Sequence, residues 1–158
     1  MIHMVTGKIN SGKTTRMLNM YRNIGRGDGY VSIKHMKDDQ VHSYELMRLT
    51  TKEKRLLVLR EDYLSDDWVE GCKIGPYSFS KNALDDVHNT MLSLLEQKIS
   101  PLFLDEVGQL ELQGKAFYRT FKQLVKKADE LYVTVREDNI QDIVQTFELH
   151  IKGYDIIT

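Results

Sequence analysis

A chain of 158 residues with 22 Lys and Arg against 23 Asp and Glu is one domain's length at a formal charge of −1. That balance argues against a protein that works chiefly by coating nucleic acid or anionic membrane, and 41% hydrophobic content excludes a disordered polymer. The longest aliphatic run, Leu56 to Leu59, is too short to span a bilayer, and no basic-then-apolar leader opens the chain. The single cysteine, Cys72, excludes an internal disulfide and a cysteine metal cluster. The expectation is a cytoplasmic protein, residues 1–158 forming one domain.

The elements alternate, with one β-rich interruption. Ile2 to Thr6 opens as an apolar strand. From Thr14 to Ile24, Met17, Leu18, Met20, Tyr21 and Ile24 recur at helical spacing, and Gly25, Gly27 and Gly29 end that helix. Tyr30–Ile33, Tyr44–Met47 and Leu56–Leu59 read as short strands joined by polar turns, a pattern that suits antiparallel pairing. This is the expected small antiparallel insertion, about residues 29–79. An acidic loop follows from Glu61 to Trp68, then a strand from Val69 to Phe79 bent at Gly75-Pro76. Ser80 caps a helix bearing Leu84, Val87, Met91, Leu94 and Leu95. Pro101 to Leu104 is a strand ending in Asp105. A helix with Phe117, Phe121, Leu124 and Val125, a strand from Leu131 to Val135, a short helix from Ile140 to Phe147 and a last strand around Ile151 to Ile157 complete the chain. Helices separating apolar strands predict a three-layer α/β fold around a mostly parallel sheet.

Gly7-Lys8-Ile9-Asn10-Ser11-Gly12-Lys13-Thr14 satisfies GxxxxGK[ST], the P-loop or Walker A pattern. Such a loop curls round a β-phosphate with backbone N–H groups turned inward, which glycine permits. Lys13 brings a mobile charge to the β- and γ-phosphates, Thr14 offers a hydroxyl to Mg²⁺, and the helix starting there, with Thr15 in its first turn, presents its positive end. Chance supplies about 0.005 such matches in a chain of this size at ordinary residue frequencies. The motif follows a strand and opens a helix, as its mechanism requires. Metal binding also needs an acid at the end of another buried strand, the Walker B position. Asp105 is placed to orient Mg²⁺ through water, and Glu106 to position and deprotonate an attacking water.

Three segments resemble the small nucleoside-triphosphatases known as the thermophile or cancer-related NTPase family. Val5-Thr6-Gly7 through Thr15 looks like TGxxGxGKTT. Leu104-Asp105-Glu106-Val107-Gly108-Gln109-Leu110-Glu111-Leu112 looks like the extended acidic motif DEIGxMEL, and Gly75-Pro76-Tyr77 like a Gly-x-Tyr step into a helix. The loop departs at Lys8-Ile9-Asn10-Ser11, where the family has Pro and Gly, and Gln109 replaces a frequent lysine. The resemblance implies Mg²⁺-dependent hydrolysis of ATP, GTP or other nucleoside triphosphates. It also implies the additional-strand class of P-loop folds, in which a strand separates the phosphate-loop strand from the acidic one. Gly108 and Glu111 match the motif and are carried over as close to the site.

Thr134 and Arg136 end the strand after the acidic one, where an open α/β sheet places its ligand crevice. They are candidates for sensing the γ-phosphate and neutralising transition-state charge. Arg48, Arg55 and Arg60 read as solvated strand residues. Two other readings stay open: a small kinase, and a nucleotide-dependent switch that binds a protein partner.

Overall fold

The computed structural model describes all 158 residues. In chain order the elements are β1 (Ile2–Gly7), α1 (Lys13–Ile24), β2 (Asp28–Lys37), β3 (Gln40–Arg48), β4 (Lys54–Arg60), β5 (Glu70–Ile74), β6 (Tyr77–Ser80), α2 (Lys81–Glu96) and β7 (Leu102–Leu104). They are followed by α3 (Gln109–Leu112), α4 (Tyr118–Lys127), β8 (Leu131–Arg136), α5 (Ile140–Thr146), α6 (Leu149–Lys152) and β9 (Tyr154–Ile157). All nine strands join one mixed sheet in the order β5-β6-β4-β3-β2-β7-β8-β1-β9. No helix is long and apolar enough to cross a membrane.

The sheet is less parallel than the sequence pattern predicts. Pairings are parallel from β2 to β9 and antiparallel from β2 to β5, four of each kind. The antiparallel part is therefore not a small appendage. Its first strand, β2, lies beside β7 in the parallel half, with Gly29 opposite Phe103, so one continuous sheet carries both halves. The buried carboxylate of Asp28 secures this junction. It accepts from Gly29 N, Thr50 N, Thr50 Oγ1 and Arg48 Nε, which ties the start of β2 to the end of β3.

Two smaller expectations also change. Val69 to Phe79 is a hairpin, β5 and β6, that turns at Gly75-Pro76 with Ile74 opposite Tyr77. The final apolar stretch divides into α6 and β9 at Gly153. Ser80 caps α2 as expected, its hydroxyl accepting from Ala83 N at 3.2 Å.

Strand alternation sorts the core onto two faces. On β7, Leu102 and Leu104 enter a cluster of 26 buried residues beneath α2, α4, α5 and α6. Phe103 points the other way, where only α1 covers the sheet, packing Met17 against Val31, Leu49 and Phe103. Strand β8 lies between β1 and β7, so the ends of all three strands open on one edge.

Candidate functional site

The segment Gly7–Thr14 joins β1 to α1 at that edge. Its glycines have separate physical reasons. A Cβ on Gly7 would stand 2.2 Å from Ser11 Oγ and 3.0 Å from the Arg16 guanidinium, so a larger residue there would have to displace both side chains. Gly12 has open space round it but takes φ +82°, the left-handed region that costs other residues about 1–2 kcal/mol. Asn10 also has positive φ. Helix α1 then begins at Lys13, and its first-turn N–H groups, free of helical partners, face the loop. The ammonium of Lys13 folds back onto its own loop, donating to Lys8 O at 2.8 Å.

Across the strand ends sits Asp105, buried to 1% exposure. Thr14 Oγ1 donates to its Oδ2 at 2.7 Å, Ser32 N donates to the same oxygen at 2.9 Å, and Thr134 Oγ1 donates to Oδ1. Burial pushes the Asp105 carboxyl above its ordinary value, against the lowering effect of those three donors and of Lys13. The next residue, Glu106, takes φ 61° as the chain leaves β7, which turns its carboxylate into the cleft. Glu106 N donates to Thr134 Oγ1 at 2.7 Å, and Val107 N to Thr134 O at 3.0 Å. Thr134 thus supports the entire Asp105–Val107 turn, and its one hydroxyl proton is committed to Asp105. Solvent reaches Glu106 through the cleft mouth, yet protein crowds it on the other sides. Its pKa is pushed up to about 7, first by desolvation and then by the Asp105 charge, with Lys13, Arg136 and Lys34 opposing.

The candidates from the sequence converge. Asn10 to Thr15, Asp105, Glu106, Gly108, Glu111, Thr134 and Arg136 all line one cleft of about 1100 Å³, together with Ile9. Gly7 and Lys8 are not among its walls; they shape the loop from outside it. Glu111 is buried and structural in its contacts, accepting from Gly108 N at 2.8 Å and Phe117 N at 3.0 Å. It therefore closes the loop that carries Gly108.

Other participants carry no local sequence signal. Ser32 acts through its backbone N–H. Lys34, two residues along β2, donates to Asn10 Oδ1 at 2.9 Å and adds a third cation near Glu106 beside Lys13 and Arg136. The three arginines of the meander separate: Arg48 pairs with buried Asp28, Arg55 pairs with Asp86 at 2.6 Å, and Arg60 lines the cleft. A strand-period pattern with cross-strand register would have located Lys34 and Arg60; single-strand reading does not.

The donor set suits a small hard cation. Thr14 and Asp105 present oxygens side by side, and a buried carboxylate whose pKa is raised gains from a nearby positive charge. No cluster of three or more His, Cys, Asp or Glu side chains stands ready to cage a metal. A cation held by one or two protein oxygens and substrate phosphates needs no such cage.

Two expectations test this arrangement. Thr134→Val keeps shape but strands the Glu106 N–H and frees Asp105 Oδ1. Denaturant titration should show a loss of about 1–3 kcal/mol, as for a buried group left unpaired, with any activity falling in turnover more than in KM. Glu111→Gln can accept only one of its two backbone bonds and should cost a similar ~1–3 kcal/mol. Glu111 also titrates abnormally: burial raises it from 4.5 to about 7 despite the two N–H donors. The folded state therefore holds the extra proton between those values, and the Glu111 contribution declines as pH rises through that window. Stability measured at pH 5 and pH 7.5 should diverge less in the variant than in the parent.

The fold and its cleft define a mixed α/β protein with helices on both faces of the sheet and a loop-and-carboxylate site at one edge. The family model NTPase_1, described as NTPase, matches residues 3–158. The chain belongs to this NTPase family, and its activity is that of a hydrolase acting on nucleoside triphosphates. Among solved structures it is similar to the solution structure of a human cancer-related nucleoside triphosphatase. That likeness has 16% identity and a TM-score of 0.65, covering 98% of this chain and 86% of the other. No curated protein sequence matches the chain.

Proposed function

We propose that the chain is a P-loop nucleoside-triphosphatase of the additional-strand class, using Mg²⁺ to hydrolyse ATP, GTP or related triphosphates to diphosphate and phosphate. One observation carries the reading. Thr14 of the loop and Asp105 of β7, 91 positions apart, meet at 2.7 Å with the Glu106 carboxylate directly adjacent. Strand β8 between β1 and β7 supports the assignment to the additional-strand class.

In this reading the loop N–H groups and the N-terminus of α1 bind the phosphates, and Lys13 leaves Lys8 O to meet the β,γ-bridge. Thr14 and, through water, Asp105 would hold Mg²⁺, which supplies charge neutralisation on the β- and γ-oxygens. Glu106, poised near neutrality, orients a water against the γ-phosphorus and takes its proton. Arg136 and Lys34 flank the γ-phosphate and stabilise the charge on its oxygens.

The direct test is phosphate release from ATP, GTP, CTP and UTP with Mg²⁺ and no acceptor. Release that stops in excess chelator and returns with Mg²⁺ is expected. Equal release in chelator, after removal of tightly held metal, overturns the metal assignment. Absence of release from all four overturns the substrate reading.

A further inference from the structure

The cleft continues past Glu106 into a part that hydrolysis leaves without a role. Its volume of about 1100 Å³ lies at the top of the ~300–1000 Å³ range of small-ligand pockets. The far wall is the meander. Val58 on β4 stands opposite Tyr44 on β3 and Phe79 on β6, and Arg60 stands opposite Tyr77. Cross-strand partners share a face, as do residues two apart, so Tyr44, Val58, Arg60, Tyr77 and Phe79 form one surface. Val107 faces them from the turn after Glu106.

This surface combines apolar area with one cation, Arg60, whose ion-pair partner is the exposed Asp62 carboxylate. Arg60 Nε is buried and makes no hydrogen bond, and Asp62 Oδ2 lies 3.7 Å from it, beyond bonding reach. Glu106 lines the same cleft as Lys13 of the phosphate loop and Tyr44 of the meander. Direction then follows from the proposed function, on which this step rests. Lys13 and Thr14 mark the γ end of a bound triphosphate, so its own nucleoside leaves the loop away from Glu106. Tyr44 of the aromatic wall stands opposite Lys34, whose ammonium donates to Asn10 of the loop, so the wall begins beside the loop and, in this reading, on the γ side.

We propose that this half of the cleft is a second-ligand site for a nucleoside 5′-monophosphate, placed to accept the γ-phosphoryl group on a ribose hydroxyl. The base lies against Tyr77 and Phe79, the 5′-phosphate pairs with the Arg60 guanidinium, and the hydroxyl faces Glu106. In the transfer, the hydroxyl gives its proton to the Glu106 carboxylate and its oxygen bonds to the γ-phosphorus. The bond from that phosphorus to the bridging oxygen breaks, and the nucleoside diphosphate leaves with the electron pair. Water in the same position gives hydrolysis.

The test uses the full chain saturated with Mg²⁺ and β,γ-imido-ATP, titrated calorimetrically with AMP, GMP, CMP and UMP, and then γ-labelled ATP with each monophosphate. At least one monophosphate should bind the loaded protein, one per chain, and take up label. Arg60→Ala should lower the ratio of transfer to hydrolysis about tenfold, the effect of losing one charge-assisted hydrogen bond, and Arg60→Lys should restore part of it. If the alanine variant fails to fold by circular dichroism, Tyr77→Leu gives the same readout. No binding of any monophosphate to the loaded protein, or binding that the imido analogue displaces, overturns the second site. Binding without label transfer keeps the site and overturns the transfer step. Phosphate release without any monophosphate reports separately on the hydrolase reading, so the two can fail independently.

Discussion

Glu106→Gln should lower turnover by roughly 10²–10⁴, the range for loss of a general base, while Mg²⁺·nucleotide binding persists. The amide keeps the side chain's shape and removes the oxygen that accepts the proton. Affinity for a slowly hydrolysed analogue should hold or rise, because one negative charge leaves the γ-phosphate pocket. The pH profile gives an independent check. Crowding by protein around the cleft and the Asp105 charge push the Glu106 pKa up to about 7, and only its ionised form accepts a proton. Activity of the parent should therefore climb through neutrality as pH rises, and that limb should vanish in the variant. Single-turnover kinetics across pH 5.5 to 8.5, flanking the about 7 of Glu106, measures both effects. Hydrolysis within about threefold of the parent, far short of that general-base range, would remove Glu106 from the chemistry.

Lys13→Ala should weaken nucleotide binding and also lower turnover, by roughly 10²–10³ if its ammonium acts like other preorganised donors on transferring charge. Burial lowers the Lys13 pKa, with Arg136 and Arg16 acting in the same direction against Glu106 and Asp105. A cation held in so crowded a place has a ready use for the negative phosphates that would join it. Its contact with Lys8 O is local to the loop and it enters neither core cluster, so the fold should survive. Circular dichroism and a thermal melt establish that point. Normal phosphate release from a folded variant would defeat the assignment.

The parts of this site legible in sequence are those written contiguously. Gly7 to Thr14 encodes its own geometry, since the clash at Gly7 and the left-handed turn at Gly12 are local matters. Asp105 and Glu106 announce themselves by ending an apolar strand. Ser32, Lys34 and Arg60 enter through register between strands, and register belongs to pairs of segments. The same reason explains the fold's departures. The pattern from Val69 to Phe79 fits one bent strand as well as a hairpin until Ile74 is seen opposite Tyr77. The parallel pairing of β2 with β7 joins segments some seventy positions apart, and no local periodicity encodes it. Thr134 was visible as a strand-end residue. Its work beneath Asp105 and Glu106 appears only once β8 lies against β7.

Helix α1 stands alone on its face of the sheet, resting on Met17, Val31, Leu49 and Phe103, while the opposite helices share a far larger core. Detaching α1 exposes little apolar area compared with unfolding the whole domain, and sub-global opening free energies follow such differences. The amides of Lys13 to Ile24 should consequently exchange with deuterium sooner than those of α2 and α4. A nucleotide bound as proposed, gripping the first turn of α1, would close that opening by mass action. Its protection against exchange should spread along α1 to Ile24, well past the last residue that touches phosphate.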